Sequence, residues 1–256
     1  MKENNKEKKI TIKLISNIIA SLLIVILLLI KDNIVSELSK IVNFVSIGLF
    51  VLIGANGLQK IDEKGREKFF QNLDLFSLLL WTCLFFQVFF SFCFFRATVD
   101  GNSMLPTLYN SQNVIVRSNN NVDYNDVVVI SVDKKINTLS GSLKDKELIV
   151  KRIIGKPGDY VAAINGIVYL NGQPLDESYL SDGTYTNMFT LESIISKNVN
   201  LDKNHLVIPD DYYLVLGDNR DISNDSRYMG LFHESQILGI VKYEMKESIF
   251  NWEKVK

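Results

Sequence analysis

Cysteine and histidine are both scarce in this chain of 256 residues, which contains two of each. Cys83 and Cys93 lie in one apolar stretch. If that stretch is helical, the two residues are about 15 Å apart, which is too far for a disulfide bond. The cysteines therefore give no information about the redox environment of the protein.

Neither sign of charge predominates, since the net charge is −1 and the pI is about 6.2. A chain without a basic surplus gives no reason to expect a nucleic acid partner. Proline is absent from the first third of the sequence, and nearly all long apolar runs lie there. This change of composition near Arg96 predicts two parts, a membrane anchor over 1–96 and a polar domain over 97–256.

Three apolar runs in the first part are candidates for membrane spans, because about 20 apolar residues cross a bilayer core. They cover residues 10–30, 41–58 and 75–95. A cleaved signal sequence is the alternative for residues 1–30, although no small-residue cleavage site follows. A buried soluble helix is the alternative for each run, and most of all for 41–58, which is short and contains Asn43 and Asn56.

Basic residues around these runs predict an orientation, because lysine and arginine accumulate on the cytoplasmic side. The surplus precedes the first run and lies between the second and third, at Lys2, Lys6, Lys8, Lys9, Lys60, Lys64, Arg66 and Lys68. Three crossings then place the N-terminus in the cytoplasm and everything after Arg96 outside. The expected location is the cell membrane, with an extracytoplasmic polar domain. Two crossings would return this domain to the cytoplasm.

The polar domain is predicted to be mostly β and antiparallel, with a loop-rich insert at about 173–208. Short β-branched runs recur between turn signals, at 112–117, 126–132, 147–154, 159–164, 167–170, 212–217 and 237–243. Asn165-Gly166 and Asn171-Gly172 are typical hairpin turns. A short helix is indicated at 190–197, and 133–146 is predicted to be an exposed loop or hairpin tip.

Histidine and metal chemistry have little support. His205 and His233 lie outside any glycine-rich or turn-dense motif, so an ordinary surface role is favoured over a Ser-His-Asp triad. No cluster of histidine, cysteine and acidic residues has metal-ligand spacing. No metal and no cofactor are therefore expected.

A serine nucleophile without histidine needs another base, and a neutral lysine can serve if it is buried among apolar groups. Lys151 lies within the run LIVKRII at 148–154, whereas most other lysines lie in polar stretches. A lysine on the solvent face of an edge strand remains an alternative. Ser103 lies between Gly101 and Pro106, just after the third apolar run, and this segment alone is also compatible with a simple turn.

Three motifs in this order resemble those of the type I signal peptidases, the bacterial Ser/Lys type. Gly101 to Leu108 resembles their nucleophile box, SM-x-PTL, and Lys151 to Asp159 (KRIIGKPGD) resembles their base box. Gly217 to Arg227 (GDNRDISNDSR) resembles their third signature, and Asp126 to Val129 the strand motif between. Such motifs rarely occur together by chance. The resemblance covers about 97–245.

The resemblance implies a role for each matching residue. Ser103 would attack the scissile carbonyl, and Lys151 would take its proton and later protonate the leaving amine. Ser223 would hydrogen-bond the Lys151 amine and orient it. Gly101 stands where some members of the family have a serine of the oxyanion hole. The N–H of Ser103 would then be one oxyanion donor, and the second donor is not identified.

Charged residues of the third signature would stabilise the site. Asp225 and Arg227 would form an ion pair that braces their loop, and Arg152 would join it. Asp218 and Asn219 are expected to build the turn through side-chain bonds to the backbone.

The substrate implied by the resemblance is an exported precursor protein whose N-terminal signal peptide is removed. Its extended chain would add as a strand to the residues before Lys151 and Ser103. Val99, Val150 and Ile149 would line small apolar pockets, although residues of this type are equally compatible with a core. The expected partners are signal peptides and the lipid bilayer, and the expected state is a monomer.

Two alternatives remain at this stage. A catalytically silent relative would hold secreted or pilin subunits, and would be expected to lack Ser103 or Lys151. A self-cleaving Ser/Lys regulator would carry a DNA-binding module, for which the sequence gives no indication.

Overall fold

A computed structural model describes residues 16, 17, 19, 20, 23, 74, 75, 77–82, 84–86, 88, 89, 92–118, 121–139, 143–246 and 251–255. The chain divides into two compact units, Met1–Phe95 and Arg96–Lys256. In the first unit the described residues up to Cys93 are helical, and Ser77 Oγ donates a hydrogen bond of 2.8 Å to Asn17 Oδ1. Among the described residues, no helix is both long and apolar enough to cross a membrane. The run at 41–58 lies outside them.

The second unit is built around one eight-stranded antiparallel sheet, which confirms the mostly-β prediction. The strands of this sheet are β1 (Phe94–Thr98), β2 (Asn113–Arg117), β3 (Val127–Ser131), β4 (Leu148–Gly155), β8 (Tyr212–Leu216), β9 (Phe232–His233), β10 (Ile237–Met245) and β11 (Trp252–Lys254). Their order in the sheet is β1-β2-β10-β3-β4-β8-β9, and β11 pairs with β10.

A second, three-stranded sheet contains β5 (Val161–Ile164), β6 (Ile167–Leu170) and β7 (Gln173–Pro174). The two predicted Asn-Gly turns join its strands. Asn165 and Gly166 have φ values of 51° and 87°, and Asn171 and Gly172 have 52° and 81°. Two consecutive residues with positive φ form the turn whose twist matches that of the flanking strands, which is why Asn-Gly was a reliable signal.

Two apolar clusters form the core. One includes Ile153, Val128 and Ile130 with Phe232, and the other is built around the insert. The insert contributes a short helix, α1 (Leu191–Ile195), which begins at an N-terminal cap from Thr190 and buries Leu191, Ile194 and Ile195. A second short helix, α2 (Ser226–Met229), follows the third motif.

Several local predictions need correction. The sequence predicts a membrane span that reaches residue 95, but β1 begins at Phe94. Strands β1, β7, β9 and β11 were not predicted. The segment 133–146 joins β3 to β4 as expected, yet it is not wholly exposed. Asn137 within it is 1% exposed, because its amide donates hydrogen bonds to the carbonyls of Met229 and Leu231.

Candidate active site

Three segments meet at one place in the second unit, and they are the three motifs of the sequence. Ser103 lies in the turn region after β1, Lys151 lies in β4, and residues 217–227 follow β8 and include the start of α2. Lys151 Nζ donates a hydrogen bond of 2.9 Å to Ser103 Oγ, and another of 2.8 Å to the carbonyl of Val150. The serine is half-buried and the lysine is 3% exposed.

The strand register explains why Lys151 is buried. Because side chains alternate along a strand, Lys151 shares a face of β4 with Ile149 and Ile153. Its cross-strand partner on β3 is Val128. These three neighbours belong to one apolar cluster, so the alternative of a solvent-facing lysine on an edge strand is wrong.

This environment changes the acidity of the amine. Burial lowers the pKa of Lys151 from 10.5 to about 8, against the attraction of Asp225 and Asp218, which raises the pKa. The positive charge of Arg227 lowers it further. Desolvation disfavours the charged form of a lysine, so burial is the dominant cause. A substantial fraction of the amine is therefore neutral at mildly alkaline pH.

The Ser103 segment is held against the third motif through its backbone. The N–H of Asn219 donates to the carbonyl of Ser103 at 3.0 Å, and the Asn219 side chain donates to the carbonyl of Asn102 at 3.2 Å. A Cβ atom on Gly217 would lie 2.6 Å from the Ser103 carbonyl oxygen and 2.1 Å from Ser223 Oγ. Only glycine permits this close approach.

The predicted oxyanion position contains no side-chain donor. Gly101 is exposed, has φ 84°, and donates its N–H to Asn110 Oδ1 at 2.8 Å. The N–H of Ser103 makes no hydrogen bond within the described part of the chain. That N–H is therefore available to a ligand at the serine.

Ser223 lies close to this centre but does not make the predicted hydrogen bond to Lys151. The residue is 2% exposed, and its hydroxyl makes no hydrogen bond among the described residues. The hydroxyl lies against Gly217 instead, while the amine of Lys151 is engaged by Ser103 and the Val150 carbonyl. The Ser223 to Lys151 hydrogen bond is absent from this structure.

The ion pair between Asp225 and Arg227 is present and bidentate. Arg227 Nε and a terminal nitrogen donate to the two carboxylate oxygens at 2.9 and 2.8 Å. Asp225 also caps α2 and accepts the N–H of Gly217 at 3.0 Å. The carboxylate thus links the helix start to the residue that contacts Ser103.

Arg152 does not join that pair, and the prediction for it is corrected. Its guanidinium is fully buried and pairs with Asp218, with hydrogen bonds of 2.9 and 2.6 Å. It also donates to Thr107 Oγ1 and to the Asn125 carbonyl. The role of Asp218 is corrected too: its carboxylate accepts from Arg152 and from the Thr107 hydroxyl, at 2.5 Å, rather than building a turn. A charge buried beside Lys151 requires a partner, and Asp218 supplies it.

Arg220 was not singled out from the sequence. It is 2% exposed and donates to the carbonyl of Gly217 at 3.1 Å and to Thr186 Oγ1 at 2.5 Å. It also forms an ion pair with Glu177 of the insert. Its place in the charged third motif was the available signal, but charge pattern alone does not separate a buried arginine from a solvated one.

The three residues proposed to line substrate pockets differ in exposure. Val99 is 4% exposed, and its backbone is already paired with Ser111 and Gln112. Ile149 is 7% exposed and belongs to an apolar core cluster, whereas Val150 is half-buried. Contact of these side chains with a substrate stays a prediction.

Within the described ranges, no group of three or more histidine, cysteine, aspartate or glutamate side chains is arranged to hold a metal ion. His233 caps the short 3-10 helix Glu234–Gln236 through its ring, which is a structural role. His205 is half-buried and lies in the insert.

Comparison with known proteins identifies the family of this chain. Residues 72–245 match the family model described as signal peptidase, peptidase S26. The match begins earlier than the 97–245 expected from the motifs, and thus includes the third apolar run. A signal peptidase I of Bacillus caldolyticus is 36% identical over 166 residues, which are 59% of this chain and 79% of the relative.

Two further proteins are similar. Signal peptidase IB of Staphylococcus aureus is 38% identical over 157 residues, covering 57% of this chain and 74% of the relative. The crystal structure of a signal peptidase I from Enterococcus faecalis V583 is 29% identical, covers 46% of this chain and 95% of that one, and has a TM-score of 0.37. The family match spans well over half of the sequence, and it confirms the resemblance inferred from the three motifs. The chain belongs to the signal peptidase, peptidase S26 family.

Proposed function

We propose that this protein is a membrane-bound serine endopeptidase that removes N-terminal signal peptides from exported precursor proteins. The observation that carries the proposal is the 2.9 Å contact between Ser103 Oγ and a Lys151 amine that is 3% exposed and has a pKa of about 8. A nucleophile within hydrogen-bond reach of a base that is partly neutral near working pH is the arrangement needed for covalent acyl transfer.

In the proposed mechanism the neutral amine of Lys151 accepts the Ser103 hydroxyl proton as Oγ attacks the scissile carbonyl. The N–H of Ser103 donates to the developing oxyanion. As the tetrahedral intermediate collapses, the Lys151 ammonium protonates the leaving amine and an ester to Ser103 remains. Lys151 then activates the water that hydrolyses this ester. Preorganised donors at the oxyanion typically contribute a factor of about 10²–10³ in rate.

Ser223 is proposed to orient the Lys151 amine during this cycle. Its hydroxyl is buried, lies beside the same glycine as the Ser103 carbonyl, and has no other partner among the described residues. A buried unsatisfied hydroxyl costs about 1–3 kcal/mol, so a bond to the amine formed during catalysis would recover this cost.

The peptide substrate is proposed to bind along the first half of β4. Pairing of β4 with β8 begins only at Arg152 and runs to Gly155, so residues 148–151 have no strand partner on that side among the described residues. An extended peptide can add to such an edge through its main chain. Val150, with Val99 and Ile149, would then contact the small side chains one and three residues before the cut.

Cleavage of a model precursor by the full chain in detergent tests the proposal. Ser103→Ala and Lys151→Ala are each expected to abolish cleavage, because each removes one partner of the proton transfer. Lys156→Ala is the matched control: this lysine lies in the same motif but is partly exposed and pairs with Asp123 at 3.1 Å. Near-normal turnover in either active-site variant, with the control also active, contradicts the assignment.

The activity of wild type should rise with pH through about 8, because Lys151 loses its proton over this range. A rate that is flat over the same range argues against a lysine base.

A further inference from the structure

The loop-rich insert contacts the catalytic segments through two buried arginines. Arg152 directly follows Lys151, and Arg220 lies three residues after Gly217, the residue that packs against the Ser103 carbonyl. Both guanidinium groups are directed at one part of the insert, residues 177–186. We call this part the insert clamp.

At Arg220 the insert clamp supplies the charge and the hydroxyl that the buried guanidinium requires. Glu177 forms the ion pair with it, and Thr186 accepts a hydrogen bond of 2.5 Å. Both residues of the ion pair are shielded from solvent, since the Arg220 side chain is 1% exposed and that of Glu177 is 14% exposed. A buried charge without such partners is strongly disfavoured, so the arginine is held where the insert clamp places them.

Arg220 in turn holds the peptide group next to the nucleophile. Its Nε donates to the Gly217 carbonyl at 3.1 Å, while the Gly217 N–H donates to Asp225 at 3.0 Å. Gly217 is therefore fixed from both sides, and it is the residue in close contact with Ser223 and the Ser103 carbonyl. A shift of Arg220 would be transmitted directly to the serine.

At Arg152 the insert clamp supplies an aromatic face. The Arg152 guanidinium lies 3.9 Å from the centre of the Tyr179 ring, and its edge is bonded to Asp218 and Thr107. Stacking on one face and hydrogen bonds around the rim leave the guanidinium no alternative position. The strand position next to Lys151 is thereby fixed.

We propose that Glu177 and Tyr179 are positioning residues of the peptidase. Glu177 acts through Arg220 and Tyr179 through Arg152, and together they keep Ser103 in contact with Lys151 and exclude water from the two side chains. This proposal rests on the proposed function, because it assigns the insert a part in the same reaction. Neither residue contacts the reacting atoms. Their effect is on the placement and hydration of the groups that do.

The first test is the kinetics of Glu177→Gln in the full chain in detergent. The variant keeps the shape of the side chain but removes the charge that fixes Arg220. We expect kcat to fall about tenfold to a hundredfold while KM changes little, because small misplacements of reacting groups have effects of this size. The midpoint of the kcat profile should move upward from about pH 8, since water reaching Lys151 reduces the desolvation that lowers its pKa. Asp182→Asn, an equal change of charge at an exposed site of the same segment, should alter neither quantity.

The route through Arg220 is tested by a double-mutant cycle. If Glu177 acts through this arginine, Glu177→Gln combined with Arg220→Gln should be no slower than Arg220→Gln alone. If the rate losses of the two single variants multiply in the double variant, Glu177 does not act through Arg220. For the aromatic contact, Tyr179→Phe keeps the ring and should lose less activity than Tyr179→Leu. Equal losses in these two variants overturn the stacking role.

A readout that does not depend on cleavage separates this proposal from the function itself. Acetylation of Lys151 by a water-soluble reagent that reacts with amines, followed by mass spectrometry, reports how accessible the Lys151 amine is to solvent. The rates are compared near pH 10.5, where the amine is at least half neutral even if its pKa returns to that of an exposed lysine, so that they report access rather than protonation. The buried lysine of wild type should react slowly, and that of Glu177→Gln severalfold faster, with Asp182→Asn like wild type. If wild type fails to cleave, the proposed function is wrong, and the acetylation rates still decide whether the insert clamp shields Lys151. Equal rates in wild type and Glu177→Gln, with an unchanged kcat profile, overturn the proposal.

Discussion

At the scale of single residues, Lys151 is the point where stability and activity oppose each other. The folded protein holds this amine with a pKa of about 8, whereas an exposed lysine has 10.5. Between these pH values the unfolded chain binds more protons than the folded one, so stability rises with pH across this window. Below about pH 8 the lysine is charged in both the folded and the unfolded state. Burial of its ammonium then lowers the free energy of unfolding by on the order of 3 kcal/mol.

Replacement by an uncharged side chain of similar length should therefore stabilise the fold while abolishing cleavage. Lys151→Met is expected to raise the free energy of unfolding at about pH 7 by roughly 1–3 kcal/mol, after the loss of the two hydrogen bonds is subtracted. The gain should shrink as the pH approaches 10.5, where wild type no longer bears the cost.

Urea unfolding of the full chain in detergent measures this effect. With Trp81→Phe as the background, Trp252 on β11 is the one remaining tryptophan and reports on the β domain. Lys156→Met serves as the control and should show no comparable dependence on pH. A Lys151→Met protein that is less stable than its parent at every pH would refute the view that burial lowers the pKa of this amine.

At the scale of elements, the site exists because the end of β8 approaches the turn that carries Ser103. Gly217 is the contact, and alanine there would place a Cβ within 2.6 Å of the Ser103 carbonyl and 2.1 Å of Ser223 Oγ. Gly217→Ala should lower kcat by on the order of a hundredfold, because the serine is displaced from Lys151. Overpacking should also reduce stability by about 1–3 kcal/mol.

Gly172→Ala provides the matched control for this prediction. Gly172 has a positive φ of 81° but nothing within 4 Å of an added Cβ, so alanine brings backbone strain without a collision near the site. Its stability should fall slightly, by about 1 kcal/mol, with cleavage unaffected. If Gly217→Ala cleaves as fast as Gly172→Ala, the close contact at β8 does not position the nucleophile.

The same scale shows what sequence patterns can and cannot predict. Seven strands and two hairpin turns were predicted because alternation, β-branched residues and Asn-Gly pairs are local signals. β9 has only two residues, and β1 continues directly from an apolar run, so neither carries such a signal. The partners of Arg152 and Arg220 were missed for another reason: Asp218, Glu177 and Tyr179 reach them through folding of the whole domain. That Lys151 and Ser103 lie within hydrogen-bond distance was implied only by the resemblance to a known family.

At the scale of the whole molecule, the proposed peptidase has to act where exported chains emerge. Its second unit must then lie outside the cytoplasm, and the charge pattern predicts this only if all three apolar runs cross the membrane. The weakest of them, 41–58, lies outside the described residues, so the number of crossings remains a prediction. An odd number of crossings and an even number place Ser103 on opposite sides.

Fusions of a reporter that is active only outside the cytoplasm, made after residues 32, 62 and 100, test the topology. With three crossings the reporter should be active after residues 32 and 100 and inactive after 62, because basic residues flank the starts of the first and third runs. A cytoplasm-active reporter at the same three sites is the control and should give the inverse pattern. If the fusion after residue 100 is active only in the cytoplasm, Ser103 lies on the wrong side of the membrane for exported precursors. The fold and the Ser103–Lys151 contact would stand, but the proposed substrate would have to be abandoned.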